Sequence, residues 1–153
     1  MGNVITLASQ LNLFDTIKTA ILTDSVLSAK FGTGRIFEFE PIPKSASFPG
    51  LPYIVVNIPT NESDPLTMDQ KTQFKPFTVM IELVMDQAIA ATGAYRTYAN
   101  KILAALEGAV TSFQTLGYYN LKATLEGSVS DTVKDKSCIR GTFSLTLSGV
   151  TNR

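Results

Sequence analysis

Apolar residues along the chain follow two rhythms, one recurring every three to four positions and one every second position, in alternating blocks. The helical rhythm comes first, in Leu13, Ile17, Ala20 and Ile21, with Asn12 placed to cap the helix and Asp15 near its positive end. Residues 23–25 offer a second cap. Val26, Leu27 and Phe31 then continue the stripe to Gly32, so the first helix either kinks or is followed by a short second one. Gly32-Thr33-Gly34 reads as a turn. From Arg35 the period becomes two: Phe37 and Phe39 point one way and Glu38 and Glu40 the other, until Pro41 and Pro43 stop the run. Residues 44–52 are small, polar and proline-bearing, hence a loop. The strand at 53–58 then places Ile54, Val56 and Ile58 on one apolar face before Pro59.

Residues 60–76 hold Asn61, Glu62, Asp64, Asp69, Lys71 and Lys75 with few apolar partners, which predicts an exposed arm or extended hairpin. The arm feeds the clearest strand of the sequence. Phe77, Val79, Ile81, Leu83 and Met85 share one face, and Thr78, Met80, Glu82 and Val84 the other, so the second face is not fully wet. Thr92 is placed to cap the next helix, whose stripe is Tyr95, Ala99, Ile102, Leu103 and Leu106, ending near Gly108; a further helical turn falls within 109–117. Leu121, Ala123, Leu125 and Val129 alternate with polar residues in a half-buried strand. After a charged turn at 131–136, the last strand sets Ile139, Phe143, Leu145 and Leu147 against Arg140, Thr142, Ser144, Thr146 and Ser148.

This order predicts an α+β fold: a mainly antiparallel sheet of about five strands with two main helices packed on one face. Residues 1–153 read as a single domain, with no internal repeat and no low-complexity linker. A chain of this length buries roughly two thirds of its unfolded surface, enough for a core without staples.

Charge alters this picture little. Thirteen basic and thirteen acidic residues balance, which argues against a freestanding nucleic-acid binder. Tyr95 and Tyr98 near Arg96, and Tyr118 with Tyr119, lack the basic surroundings of a base-stacking platform. No apolar run reaches the roughly 18 residues a membrane span needs, and the first residues lack a signal-peptide pattern, so a soluble protein made in a cytoplasm is expected. Gly2 and Thr6 satisfy a myristoylation pattern without a following basic cluster, and the Asn61-Glu62-Ser63 sequon has no secretory context.

Candidate chemistry is sparse. With no histidine, the Ser-His-Asp and Cys-His arrangements are excluded, and Cys138 alone makes neither an intrachain disulfide nor a zinc cage. No nucleophile elbow, S-x-x-K dyad or phosphate-binding loop occurs. Glu38 with Glu40, and Glu62, Asp64 and Asp69 in the arm, read as a solvated edge and a solvated loop; the arm lacks calcium-loop spacing. The expectation is a non-enzyme with no cofactor and no metal site.

The leading helix, the proline-flanked Leu51-Pro52-Tyr53-Ile54-Val55-Val56 strand, the polar arm ending in the long strand at 77–85, the amphipathic helix at 95–106 and the closing Gly141-Thr142-Phe143-Ser144-Leu145-Thr146-Leu147 together resemble the tail terminator and tail completion proteins of long-tailed bacteriophages. The resemblance spans almost the whole chain in element order, without a catalytic signature. It implies a structural virion protein of the tail or neck, assembled in the host cytoplasm. It further implies a homo-oligomeric ring, commonly a hexamer, that caps the tail tube and joins tail to head. The implied partners are the tail tube protein and a head-tail connector or stopper protein, with viral DNA passing through the ring without sequence-specific binding and no membrane involved.

A closed ring needs two different complementary patches on each copy. Asn61, Glu62, Asp64, Asp69, Lys71 and Lys75 of the arm are the candidates for one, with Met80 and Val84 contributing apolar burial at an interface. A head-completion or connector protein carries the same elements. From other classes, the alternatives are a small ligand- or peptide-binding module and an enzyme that works only in a multi-subunit site.

Overall fold

The computed structural model describes residues 12–32, 34–45, 48–58 and 72–152. Helix α1 (Leu13–Leu22) is followed by a separate short helix α2 (Ser25–Phe31). Asn12 occupies the cap position of α1 without a side-chain cap bond, whereas the Asp24 carboxylate accepts the Val26 and Leu27 N–H groups at 2.9 and 3.0 Å. This satisfies two orphan donors of α2 and explains why the stripe is broken into two helices rather than kinked.

Strand β1 (Ile36–Phe37) spans only two residues and pairs parallel with β2 (Tyr53–Asn57), Ile36 opposite Ile54. The predicted strand through Glu40 is therefore shortened. Beyond Phe37 the chain leaves the sheet edge, so Phe39 no longer shares a covered face with Phe37 and is 78% exposed. β2 pairs antiparallel with β3 (Thr72–Asp86), which runs along β5 (Lys136–Asn152) from Thr72 opposite Asn152 to Asp86 opposite Cys138. The last residues of the predicted arm, from Thr72, thus belong to a strand, because β5 supplies a ladder partner for them that their own pattern does not announce.

Asp86 accepts the Ala88 and Ile89 N–H groups and so starts the short helix α3 (Gln87–Ile89). A wide helical turn (Ala90–Ala94) then leads into α4 (Tyr95–Glu107). Thr92 does not cap this helix: its hydroxyl donates to the Ile89 carbonyl, and the break before α4 is made at Gly93, whose φ is +96°. Helix α5 (Val110–Thr115) returns the chain to β4 (Tyr118–Val133), longer than predicted at both ends and interrupted by two register shifts. The β4–β5 turn falls on Lys134 and Asp135, with φ of 49° and 62°, the pair of left-handed residues that suits a two-residue hairpin.

The sheet order is β1-β2-β3-β5-β4, mixed but mostly antiparallel, as the α+β reading requires. One face carries Ile54, Val56, Val79, Ile81, Leu83, Phe143, Leu145 and Leu147 against Leu13, Ile17, Ile21, Leu27, Phe31, Ile102 and Leu106 of the helices. Phe31 and Tyr98 meet edge to face at 5.7 Å between ring centres, tying α2 to α4. No helix among the described residues is long and apolar enough to cross a membrane.

Candidate functional site

The second face of the sheet has its own small core. Tyr53, Val55, Val84, Val133 and Cys138 are buried there, covered by Phe37, Phe48 and Leu51 at the two ends of the β1–β2 connection. The Tyr53 ring meets Phe37 at 6.0 Å and Phe48 at 5.9 Å, both edge to face. Lys134, in the hairpin turn, lies 5.9 Å over the Phe48 ring, so the connection touches the tip of the β4–β5 hairpin.

Arg140, in the first third of β5, is the polar centre of this face. Opposite it stand Val84 of β3 and Val129 of β4, and its guanidinium reaches the acids two residues diagonally onward. Nη1 donates to Glu82 Oε2 at 2.8 Å and Nε to Asp131 Oδ2 at 3.1 Å. Glu40, from the β1–β2 connection, completes the cluster: its two oxygens accept from Nη1 and Nη2 at 3.1 and 2.9 Å, and Oε1 also accepts the Tyr53 hydroxyl at 2.7 Å. The paired bonds to Glu40 are the strong, geometry-selective kind. Asn57 adds a 3.3 Å bond to Glu82, and on the same face Ser144 donates to Glu126.

Partial burial works against ionising Glu40, but the hydrogen bonds from Arg140 and Tyr53 and the Arg140 charge outweigh it, so its carboxyl lies below the ordinary range. Asp131, on the surface, is held low first by the Thr132 N–H and then by Arg140. Glu40 in turn stabilises the charged guanidinium, while burial and donation to Glu40 push the Tyr53 phenol up. Burial likewise raises the Cys138 thiol and takes Tyr118 up to about 12, so neither supplies an anion near neutrality. The cluster occupies most of the Arg140 donor fork with carboxylates of the same chain. It is built as a clamp that fastens the β1–β2 connection to the sheet. Among the described residues no group of Asp, Glu or Cys is arranged to hold a metal ion.

On the other side of the molecule an open cleft of about 740 Å³ runs between α1 and the α4–α5 region. Small residues, Ala20, Ala104, Ala105, Gly108 and Ala109, are among those that line it, with Asp15, Thr19 and Thr23 on the α1 side.

Of the residues predicted to form contacts, Asn61, Glu62, Asp64, Asp69 and Lys71 lie outside the described residues. Lys75 lies in β3 opposite Gly149. Met80 is half-buried on the second face. Val84 requires a correction: it is 0% exposed, enclosed within the chain by Tyr53, Val133 and Cys138, and so belongs to the internal core rather than to a surface open to a partner. Glu40, like Glu38, is exposed as expected of a solvated edge, but it is also anchored to Arg140. The clamp escaped sequence reasoning because Arg140 and Glu40 are 100 residues apart. The only signal was a lone arginine on the polar face of a central strand.

What the fold and this face define is an α+β domain with a self-satisfied polar cluster and an open cleft in the helix layer. No protein-family model matches the chain, and no curated protein is recognisably similar to it in sequence.

Proposed function

We propose that this chain is a structural, non-enzymatic subunit of a long-tailed bacteriophage, of the tail terminator or tail completion kind, which assembles into a ring that caps the tail tube and joins it to the head. The observation that carries the reading is the arrangement of the elements behind the sequence resemblance. A leading helix, the strand β2, the long β3, the crossover helix α4 and the closing hairpin form one sheet-and-helix unit. The chemistry agrees with a role exercised through surfaces. The strongest polar cluster is neutralised within the chain, and the buried phenols and thiol are held in their neutral forms. Without histidine there is no ordinary proton-transfer partner for a nucleophile.

Light scattering after size exclusion, with negative-stain microscopy of the same fractions, tests this. Closed rings of the chain, alone or after adding a tail-tube protein, are the expected outcome. Strict monomers at high concentration that no tail-tube partner converts into rings would refute it.

A further inference from the structure

We propose that the connection after β1 docks, through Phe39 and Ile42, into the cleft between α1 and α4 of a second copy of this chain, with Lys44 of one copy facing Asp15 of the next. The proposal rests on the ring-subunit reading and names the contact that reading requires.

Phe39 and Ile42, at 78% and 68%, are the most exposed of the large apolar side chains among the described residues. Single exposed apolar residues are ordinary on protein surfaces. These two stand apart because they flank Glu40, the residue that Arg140 holds by two bonds and Tyr53 by a third. The clamp fixes the backbone between them. Two apolar anchors are thus presented already ordered, which lowers the entropy lost on association.

The cleft suits such anchors. Its volume, about 740 Å³, falls within the range of sites that accommodate several side chains or a small molecule, and the alanines and glycine among its lining residues leave room for bulky side chains close to the helix backbones. Among the described residues that line it, Asp15 and Asp24 are charged and none is basic. Asp24 is already engaged, capping α2 and lying 3.8 Å from Lys101, which leaves Asp15 as the acid on the rim. Lys44, exposed two residues beyond Ile42, supplies the opposite charge.

Both halves of the contact occur on one chain, which favours a second copy over a foreign partner. They lie on opposite sides of the sheet, the connection over the second face and the cleft in the helix layer, so one copy can use both at once. Such a head-to-tail contact closes into a ring when its rotation allows.

The test uses the full chain. Phe39→Ser combined with Ile42→Ser breaks the loop half and leaves the cleft; Thr19→Trp fills the cleft and leaves the loop. Each variant alone should assemble at least about tenfold more weakly than the wild type, as expected when central anchors are lost. Mixed together, they have one intact contact between them and should form a dimer and nothing larger. Lys44→Glu and Asp15→Lys should each weaken assembly, and the two reversals in one chain should restore it. Unchanged circular dichroism would confirm that the variants fold.

If rings persist in the loop variant and in both single reversals, the proposal falls while the ring reading stands. If the wild type forms no ring under any condition, both fall. Co-sedimentation of wild-type monomers with phosphatidylcholine vesicles, lost in Phe39→Ser, would overturn the proposal by assigning the loop to a lipid surface.

Discussion

At the scale of single residues, the balance at Arg140 decides how the second face behaves. Three carboxylates around one guanidinium repel one another unless the cation is present, so Arg140 holds apart groups that would otherwise push the connection off the sheet. Arg140→Met should cost about 2 kcal/mol near neutral pH, between the values for exposed and buried ion pairs. The pH dependence has a definite sign. Glu40 and Asp131 have folded pKa values below their reference values of 4.5 and 3.8, so their stabilisation is complete above those values and is lost as pH falls through the depressed folded ones. Urea unfolding of the wild type should show stability falling in acid. The deficit of Arg140→Met relative to wild type should shrink over the same range, as protonation removes the repulsion the variant exposes. A deficit that stays constant down to about pH 2 would mean that Arg140 acts by packing alone.

Between elements, the closest constraint lies where α4 crosses the hairpin. Tyr95, at the start of α4, lays its ring on Gly141 of β5, and a Cβ there would overlap the ring and its hydroxyl. Gly141→Ala should therefore destabilise by about 1–3 kcal/mol through overpacking. Much of that loss should disappear in a Tyr95→Ala background, measured as a double-mutant cycle in denaturant. A Gly141→Ala cost unaffected by Tyr95→Ala would place the strain elsewhere. This contact also shows what pattern reading reaches. Tyr95 was legible as part of the α4 stripe, and the alternation of β3 and β5 assigned Ile81, Leu83, Phe143 and Leu145 to the helix-facing core where they are found. The need for glycine at 141 was not legible, because it arises from a residue 46 positions away in another layer, and periodicity reports only which face a residue takes. For the same reason Val84 read as half-wet. What covers it is the β1–β2 connection, and a loop has no periodic signature. The two-residue β1 was over-extended because alternation at Phe37 and Phe39 continues past the point where the strand loses its partner.

For the molecule as a whole, the two sides of the sheet are finished differently. Helices seal one with an apolar core, whereas the other is covered only around Tyr53, Val84 and Cys138, by a connection pinned at Glu40 and by the tip of the β4–β5 hairpin. The two most exposed large apolar side chains among the described residues, Phe39 and Ile42, flank the residue that the clamp holds, so assembly and folding should be coupled through the same segment. A chain that associates in its native state gains stability by mass action, up to about 1.4 kcal/mol for each tenfold rise in concentration, whereas a monomer gains none. For a chain of this size that corresponds to a rise in Tm of about 3–5 °C per decade. The wild type should show that dependence, and Phe39→Ser combined with Ile42→Ser should show none over the concentrations at which the wild type assembles. Glu40→Gln separates anchoring from contact: it touches neither exposed anchor but loosens the segment between them, so its assembly should weaken while the concentration dependence survives at higher protein levels. A Glu40→Gln variant that assembles as tightly as wild type would show that the clamp serves the fold alone. Melting curves across two decades of concentration, recorded at constant scan rate, would decide between these cases.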